Sequence, residues 1–134
     1  MSLKIAFAAV LKAMRANRGL TQRNLAEVSS RTYVSKLERG YSSPTLEMLT
    51  TLSVPLNVNP LTLIAITLSA ESGESVTTLL RRAQEEIADL AQAGVLNALQ
   101  IPPSDVQIMI SRVSQHTSKR STDTSPQTEF SFAE

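Results

Sequence analysis

The chain has 134 residues, 42% of them hydrophobic and none of them cysteine, with a formal net charge of +1. This length supports one modest core and argues against a second full domain, and the lack of cysteine excludes disulfide scaffolds and thiolate metal sites. No apolar run approaches the roughly 20 residues that span a bilayer, and residues 1–4 lead into an amphipathic helix rather than a signal peptide, so we expect a cytoplasmic protein without membrane contact.

The charges are divided unevenly along the chain. Residues 1–64 hold eight Lys or Arg against three acids, a balance of +5, and residues 65–134 hold five bases against nine acids, a balance of −4. A basic half is expected of a surface that faces phosphates, because neutralising phosphates releases counterions and drives binding. Small domains also carry a few surplus charges by chance, so the division gains meaning only together with a motif.

The first two predicted helices precede residue 30. The spacing of apolar residues predicts a helix over residues 3–17, followed by Gly19 as a natural stop. Its predicted inward face consists of Ile5, Ala8, Leu11 and Met14. Thr21 is expected to cap a short second helix by accepting hydrogen bonds from free backbone amides. In that helix Leu25 and Val28 are expected to point into the core.

The third predicted helix runs from about Arg31 to Arg39 and ends at Gly40. Val34 and Leu37 are expected to point inward. Its remaining positions carry polar and cationic side chains, namely Arg31, Thr32, Tyr33, Ser35 and Lys36. A helix that projects such side chains beyond a small apolar base fits the major groove of DNA, where hydrogen-bonding edges identify the base pairs.

Two more helix-start signals follow. Ser43 and Pro44 predict the cap and first turn of a fourth helix, and Asn59 with Pro60 predicts a fifth over residues 60–69. The fourth helix is expected to bury Leu46, Leu49 and Leu52. Alternation of apolar and polar residues in the fifth segment also suits a strand, but the proline at its start and the preceding helices favour a helix.

The fifth predicted helix has more apolar residues than one inward face can bury. One stripe consists of Leu61, Ile64, Ala65 and Leu68, while Leu63 and Ile66 point elsewhere. A second contact surface is therefore expected. Two ways of covering it remain open, namely the C-terminal segment of the same chain and a twofold contact with a second copy.

Apolar residues at alternating spacings of four and three predict another helix after residue 75. They are Val76, Leu80, Ala83, Ile87 and Leu90, a heptad seam that is shorter than the roughly three to four repeats of a sustained coiled coil. We expect this helix to pack on the fifth helix, on its symmetry mate, or on both. Gly94 interrupts the seam, and a capping box at Ser104–Gln107 opens a last helix. From Ser114 onward Ser and Thr dominate, which predicts a disordered tail.

The order of these features resembles the lambda-repressor-like, or XRE-type, helix-turn-helix family. Its sequences commonly run G-L-(S/T)-Q-x-x-L-A through to (I/V)-S-x-(I/L)-E-R-G-x-x-x-P, and here these motifs stand at Gly19–Gln22, Leu25–Ala26, Val34–Gly40 and Pro44. The resemblance covers residues 4–68. It implies an all-α fold, with a five-helix DNA-binding domain over residues 1–69. For the rest of the chain, apolar spacing and composition predict a C-terminal helical dimerisation or interaction segment over residues 70–113 and the tail over residues 114–134.

One spacing departs from the family. The helix-2 alanine and the first buried aliphatic of the recognition helix usually lie ten positions apart, whereas Ala26 and Val34 lie eight apart. Ser30 also stands where a turn glycine is common. The turn is therefore shortened, so that either the second helix loses its last half-turn or the recognition helix starts late.

The candidate DNA-binding residues follow from position and chemistry. The resemblance implies that Gln22 holds the DNA backbone and braces the recognition helix. Arg31 is the best candidate for base readout, because its guanidinium can bond two acceptors of a guanine. Phosphate contact suits Lys36 and Arg39, which would set register without reading sequence. The full set is Gln22, Arg23, Ser30, Arg31, Thr32, Tyr33, Ser35, Lys36, Arg39, Tyr41, Ser42 and Ser43.

Two charged residues receive a different role from the same resemblance. In the family an arginine of the first helix and the glutamate of E-R-G commonly form a partly buried pair. Arg15 and Glu38 stand at those positions. The resemblance therefore implies that they support the fold and do not contact DNA.

The sequence favours a regulator over an enzyme. With no cysteine and a single histidine, His116, it offers no catalytic triad, metal cluster or glycine-rich phosphate loop, so neither a cofactor nor a metal is expected. We expect a homodimeric transcription regulator, acting as a repressor, that binds double-stranded DNA at an inverted-repeat operator. The alternative is an antitoxin-like interaction protein, whose C-terminal half binds a protein partner while the N-terminal half autoregulates.

Overall fold

The computed structural model describes residues 1–102, which form seven α-helices and no strand. The helices are α1 (Leu3–Asn17), α2 (Gln22–Ala26), α3 (Arg31–Glu38), α4 (Leu46–Leu56), α5 (Pro60–Ser72), α6 (Val76–Gln92) and α7 (Val95–Ala98). The expected all-α class is confirmed. The chain divides into two compact units, residues 1–80 and residues from 81 onward. The predicted last helix at Ser104 and the predicted tail from Ser114 lie outside the described residues.

Side-chain caps begin the helices of the first unit. Thr21 accepts a hydrogen bond from the backbone amide of Asn24 at 3.2 Å, and the Asn24 side chain accepts one from the Thr21 amide at 2.8 Å. The predicted cap of the second helix is therefore confirmed, and the reciprocal bond adds to it. The predicted cap of the fourth helix is wrong by two residues. Thr45, not Ser43, accepts the amide hydrogen bond from Met48, at 3.1 Å.

The core lies among α1 to α5. It consists of Phe7, Val10, Leu11, Leu25, Val34, Leu37, Leu49, Leu52, Leu56 and Leu63. Each of these five helices contributes at least one member, so burial of apolar surface holds the helices around α3 and fixes its orientation. Among residues 1–102 no single helix is long and apolar enough to cross a membrane, and α4 with α5 passes only as a pair bent by 104°.

Three residues that were expected to be buried are exposed. Ile5 is 53% exposed because α1 turns Phe7 and Val10 toward the core instead. Val28 is 40% exposed because α2 has already ended at Ala26. Leu46, at 74%, is the first residue of α4 and lies before the turn that packs on the core.

The inward face of α5 also differs from the predicted stripe. Leu63 is fully buried, and Thr67, four positions later, is buried on the same side, while Ala65 is buried on nearly the opposite side. Leu61 is 60% exposed. Because residues two apart differ by about 200° around a helix of 3.6 residues per turn, α5 is buried on two sides, which a single apolar stripe does not predict.

The shortened turn falls on α2. This helix has only five residues, and α3 begins at Arg31 as predicted, with the Ser30 hydroxyl accepting a hydrogen bond from the Tyr33 amide at 3.1 Å. The first of the two expected outcomes is therefore observed. The second helix loses its last half-turn, and the recognition helix does not start late. The exposed side chains of α3 therefore begin at its first residue.

Candidate nucleic-acid interface

Helix α3 has two chemically opposite faces. Val34, Leu37 and Glu38 are buried. The opposite face carries Arg31, Thr32, Ser35, Lys36 and Arg39. Each of these positions lies three or four residues from another along one side of the helix, and Arg39 directly follows its last residue. Burial of the first face fixes the rotation of the helix, so the second face is held toward solvent.

The exposed face of α3 forms one wall of a shallow concavity, which we call the α3 concavity. It has a volume of about 600 Å³ and is lined by Gln22, Arg31, Thr32, Ser35, Lys36, Arg39 and Tyr41. Three of these seven residues are cationic and none is acidic. The surface therefore combines positive charge with short hydrogen-bonding side chains, a combination that suits an anionic polymer whose edges present donors and acceptors.

Glu38 lies behind this surface as a buried carboxylate. Its side chain is 2% exposed, and one oxygen accepts a hydrogen bond from Arg15 Nε at 2.6 Å. The other oxygen accepts from Gln22 Nε2. Arg15 also donates from Nη1 to the carbonyl of Leu20 at 3.0 Å. The predicted pairing of Arg15 with Glu38 is confirmed. Through Arg15 it connects α1 with α3 and with the backbone at Leu20.

The position of Gln22 links the buried pair to the exposed surface. Its amide nitrogen donates to Glu38 of α3, while the residue also lines the α3 concavity. A primary amide has two N–H donors and a carbonyl acceptor, so one bond to Glu38 leaves further hydrogen-bonding capacity. Gln22 therefore braces α3, as the resemblance implied, and is fixed where it can meet a ligand of the concavity.

Comparison with known proteins agrees with this geometry. The helix-turn-helix family model matches residues 11–63. A structure of the clp gene regulator ClgR from Corynebacterium glutamicum is 30% identical, with a match that covers 55% of this chain and 99% of the ClgR chain at a TM-score of 0.50. The chain belongs to the lambda-repressor-like helix-turn-helix family. A second ClgR structure, also 30% identical, covers 71% of this chain and 97% of its own at a TM-score of 0.48. No curated protein matches the chain.

In this helix-turn-helix domain α2 and α3 are the two motif helices, with α3 as the recognition helix. The remaining candidate residues lie around the α3 concavity and do not line it. Ser30 uses its hydroxyl as the α3 cap. Tyr33 is half-buried against the core, and its hydroxyl donates to the carbonyl of Ser43 at 3.4 Å. Arg23 is exposed on α2, Ser42 is half-buried and Ser43 is exposed.

The Tyr33 contact shows a role that sequence reasoning missed. By joining α3 to the loop at Ser43, this tyrosine holds the loop that carries Tyr41 into the α3 concavity. Its half-buried ring indicates that it supports the loop of the helix-turn-helix domain.

Two further features of the helix-turn-helix domain lie at the ends of its helices. Arg18 donates from Nε to the carbonyl of Leu56 at 3.0 Å, which satisfies a carbonyl in the last turn of α4. Gly40 has a φ of +75°, and a Cβ added there would lie 3.4 Å from Cγ1 of Ile5. The Arg18 bond joins the end of α1 to the end of α4, and the left-handed conformation of Gly40 suits the end of α3.

Proposed function

We propose that the protein is a homodimeric transcription regulator that binds an inverted-repeat DNA operator through α3, acting as a repressor. The observation that carries this proposal is the α3 concavity, in which cations and short polar side chains converge on the outer face of a recognition helix. Membership of the helix-turn-helix family supports DNA as the ligand. The similar ClgR protein is a clp gene regulator, which supports a role in regulating genes.

Base readout is proposed for the amino-terminal part of α3. Arg31 is its first residue and is exposed, so its guanidinium can extend from the helix end toward a base edge. A bidentate pair with guanine O6 and N7 supplies about 1–3 kcal/mol of discrimination. Thr32 and Ser35 have shorter hydroxyl side chains beside Arg31 in the same concavity, and they are assigned a supporting role in readout.

Backbone contact is proposed for the later part of the surface. Lys36 and Arg39 are exposed one turn apart near the end of α3, and Tyr41 follows in the loop. Cations at this end would neutralise phosphates and fix the register of the helix on the duplex. Gln22, held by Glu38, would add a backbone hydrogen bond from α2.

A dimer reads two half-sites, and their separation follows from DNA geometry. Two recognition helices related by a twofold axis enter successive major grooves, with half-site centres about 34 Å apart. If Lys36 and Arg39 each meet one phosphate in both protomers, four contacts predict a slope of log affinity against log salt of about −3 to −4.

The test is selection of bound fragments from the genome of origin, followed by a salt titration on the selected site. We expect an inverted repeat and the salt slope given above. Lys36→Gln should reduce the magnitude of that slope by roughly 2 per dimer, because each protomer loses one phosphate contact. Lys12→Gln, an exposed α1 residue outside the α3 concavity, is the matched control and should leave the slope unchanged. Failure to retain any fragment, or binding independent of salt, would refute the proposal.

A further inference from the structure

Helix α6 carries an apolar seam that stays largely exposed among residues 1–102. None of the residues of α6 is buried, and Leu80, Ile87 and Leu90 are 38%, 39% and 46% exposed. The seam runs along a helix of 17 residues, a length of about 26 Å. Exposed apolar surface of this extent marks a contact site in proteins that do not aggregate.

The first residues of the seam are continuous with a groove on α5. Val76 and Leu80 form one side of this groove, and Leu61, Ala65 and Ile66 form much of the other. Its volume is about 540 Å³. Whatever covers the beginning of the seam must therefore also supply apolar side chains to this groove.

The charges of α6 indicate what that partner is. Arg81 and Arg82 lie in the first half of the helix, whereas Glu85, Glu86 and Asp89 lie in the second half. A second copy laid parallel would place like charges side by side. An antiparallel copy places each basic half beside an acidic half.

We propose that two copies of the chain pair through α6 in antiparallel orientation, about a twofold axis near the middle of the helix. In that arrangement Ile87 and Leu90 of the second copy lie opposite the beginning of the seam, where they can cover Val76, Leu80 and the α5 groove. The same contact forms twice, as a twofold interface requires. This inference rests on the proposed function, because it supplies the dimer that an inverted repeat needs.

Engineered cysteines test the orientation, since the chain has none of its own. Thr77 and Ala91 lie on one side of α6, fourteen positions or about 21 Å apart, which is too far for a disulfide within one helix. Antiparallel pairing predicts that the variant with both Thr77→Cys and Ala91→Cys forms a covalent dimer on oxidation, while each single variant does not. Crosslinking of either single variant would indicate parallel pairing and overturn the proposal.

A charge-reversal experiment tests the pairing without cysteines. The result therefore does not depend on whether the two chosen cysteine positions have the geometry that a disulfide needs. The variants Arg81→Glu/Arg82→Glu and Glu85→Arg/Glu86→Arg should each self-associate at least about tenfold more weakly, because all of α6 then has one dominant sign. Their equimolar mixture should recover tight association. Repulsion within each helix persists in the mixture, so recovery can come only from contacts between chains. Unchanged association of both variants, or no recovery on mixing, would overturn the proposal.

Sedimentation velocity without DNA keeps this result separate from the proposed function. Charge-reversed chains that are monomeric and still bind a half-site support α6 as the interface and leave the DNA-binding function intact. Covalent antiparallel dimers that bind no DNA would support the interface and refute the function. The interface alone would be refuted if the protein binds a full operator as a dimer, no cysteine variant forms crosslinks, and charge reversal leaves association unchanged.

Discussion

Replacing Arg15 with methionine removes the charge partner of the buried Glu38. Glu38 is 2% exposed, whereas Arg15 is 24% exposed. Breaking a buried ion pair from one side costs about 3–5 kcal/mol, because the remaining charge is desolvated without compensation. Since Arg15 is partly solvated and Gln22 still donates to Glu38, we expect a loss near the lower figure. At about 3 kcal/mol the melting temperature of a domain of this size falls by roughly 12–24 °C.

The measurement is thermal and urea unfolding followed by far-ultraviolet circular dichroism. Lys12→Met, an exposed residue of the same helix, is the matched control and should change stability by less than about 0.5 kcal/mol. The double variant Arg15→Met/Glu38→Met should be more stable than Arg15→Met alone, because it leaves no buried charge without a partner. A loss below about 1 kcal/mol for Arg15→Met would show that the pair behaves as a solvated one. A double variant no more stable than the single one would refute the desolvation argument.

Three further predictions concern readout, assembly and backbone conformation. Arg31→Ala should reduce the binding free energy that discriminates one base position by about 1–3 kcal/mol, while Lys36→Ala should weaken binding to all sequences similarly. Both variants are measured with a library of operator variants, and a base preference that survives Arg31→Ala would assign readout to the neighbouring hydroxyls. A chain ending at Gly73, which lacks α6, should retain its helical circular dichroism and its affinity for a half-site. It should self-associate poorly or aggregate, and it should bind a full operator much more weakly. A truncated chain that is a well-behaved dimer in ultracentrifugation and keeps full operator affinity would contradict this. Gly40→Ala should destabilise the domain by roughly 1–2 kcal/mol in urea unfolding because its φ is +75°, and unchanged stability would show that the loop relaxes without cost.

Local signals in the sequence determined where helices begin and end. Thr21, Ser30 and Asn59 each accept an amide hydrogen bond as helix caps, a role that depends only on neighbouring residues. The ends of α3 and the identity of its exposed face also followed from local spacing. All seven residues of the α3 concavity were among the candidates. Five of them lie on α3 or directly after it, and a short helix with few buried positions leaves its other positions exposed.

Tertiary packing decided the rest, because it sets which of several apolar residues faces the core. Ile5 and Leu61 fit an inward stripe by spacing, yet the neighbouring helices bury Phe7 and Leu63 instead. Periodicity identifies an apolar side but not the packing partners that fix the rotation of a helix. Contacts distant in sequence, such as Tyr33 with the loop at Ser43, are likewise decided by the fold. Sequence thus determined the helices and the chemistry of the α3 concavity, and tertiary contacts determined how firmly its residues are held.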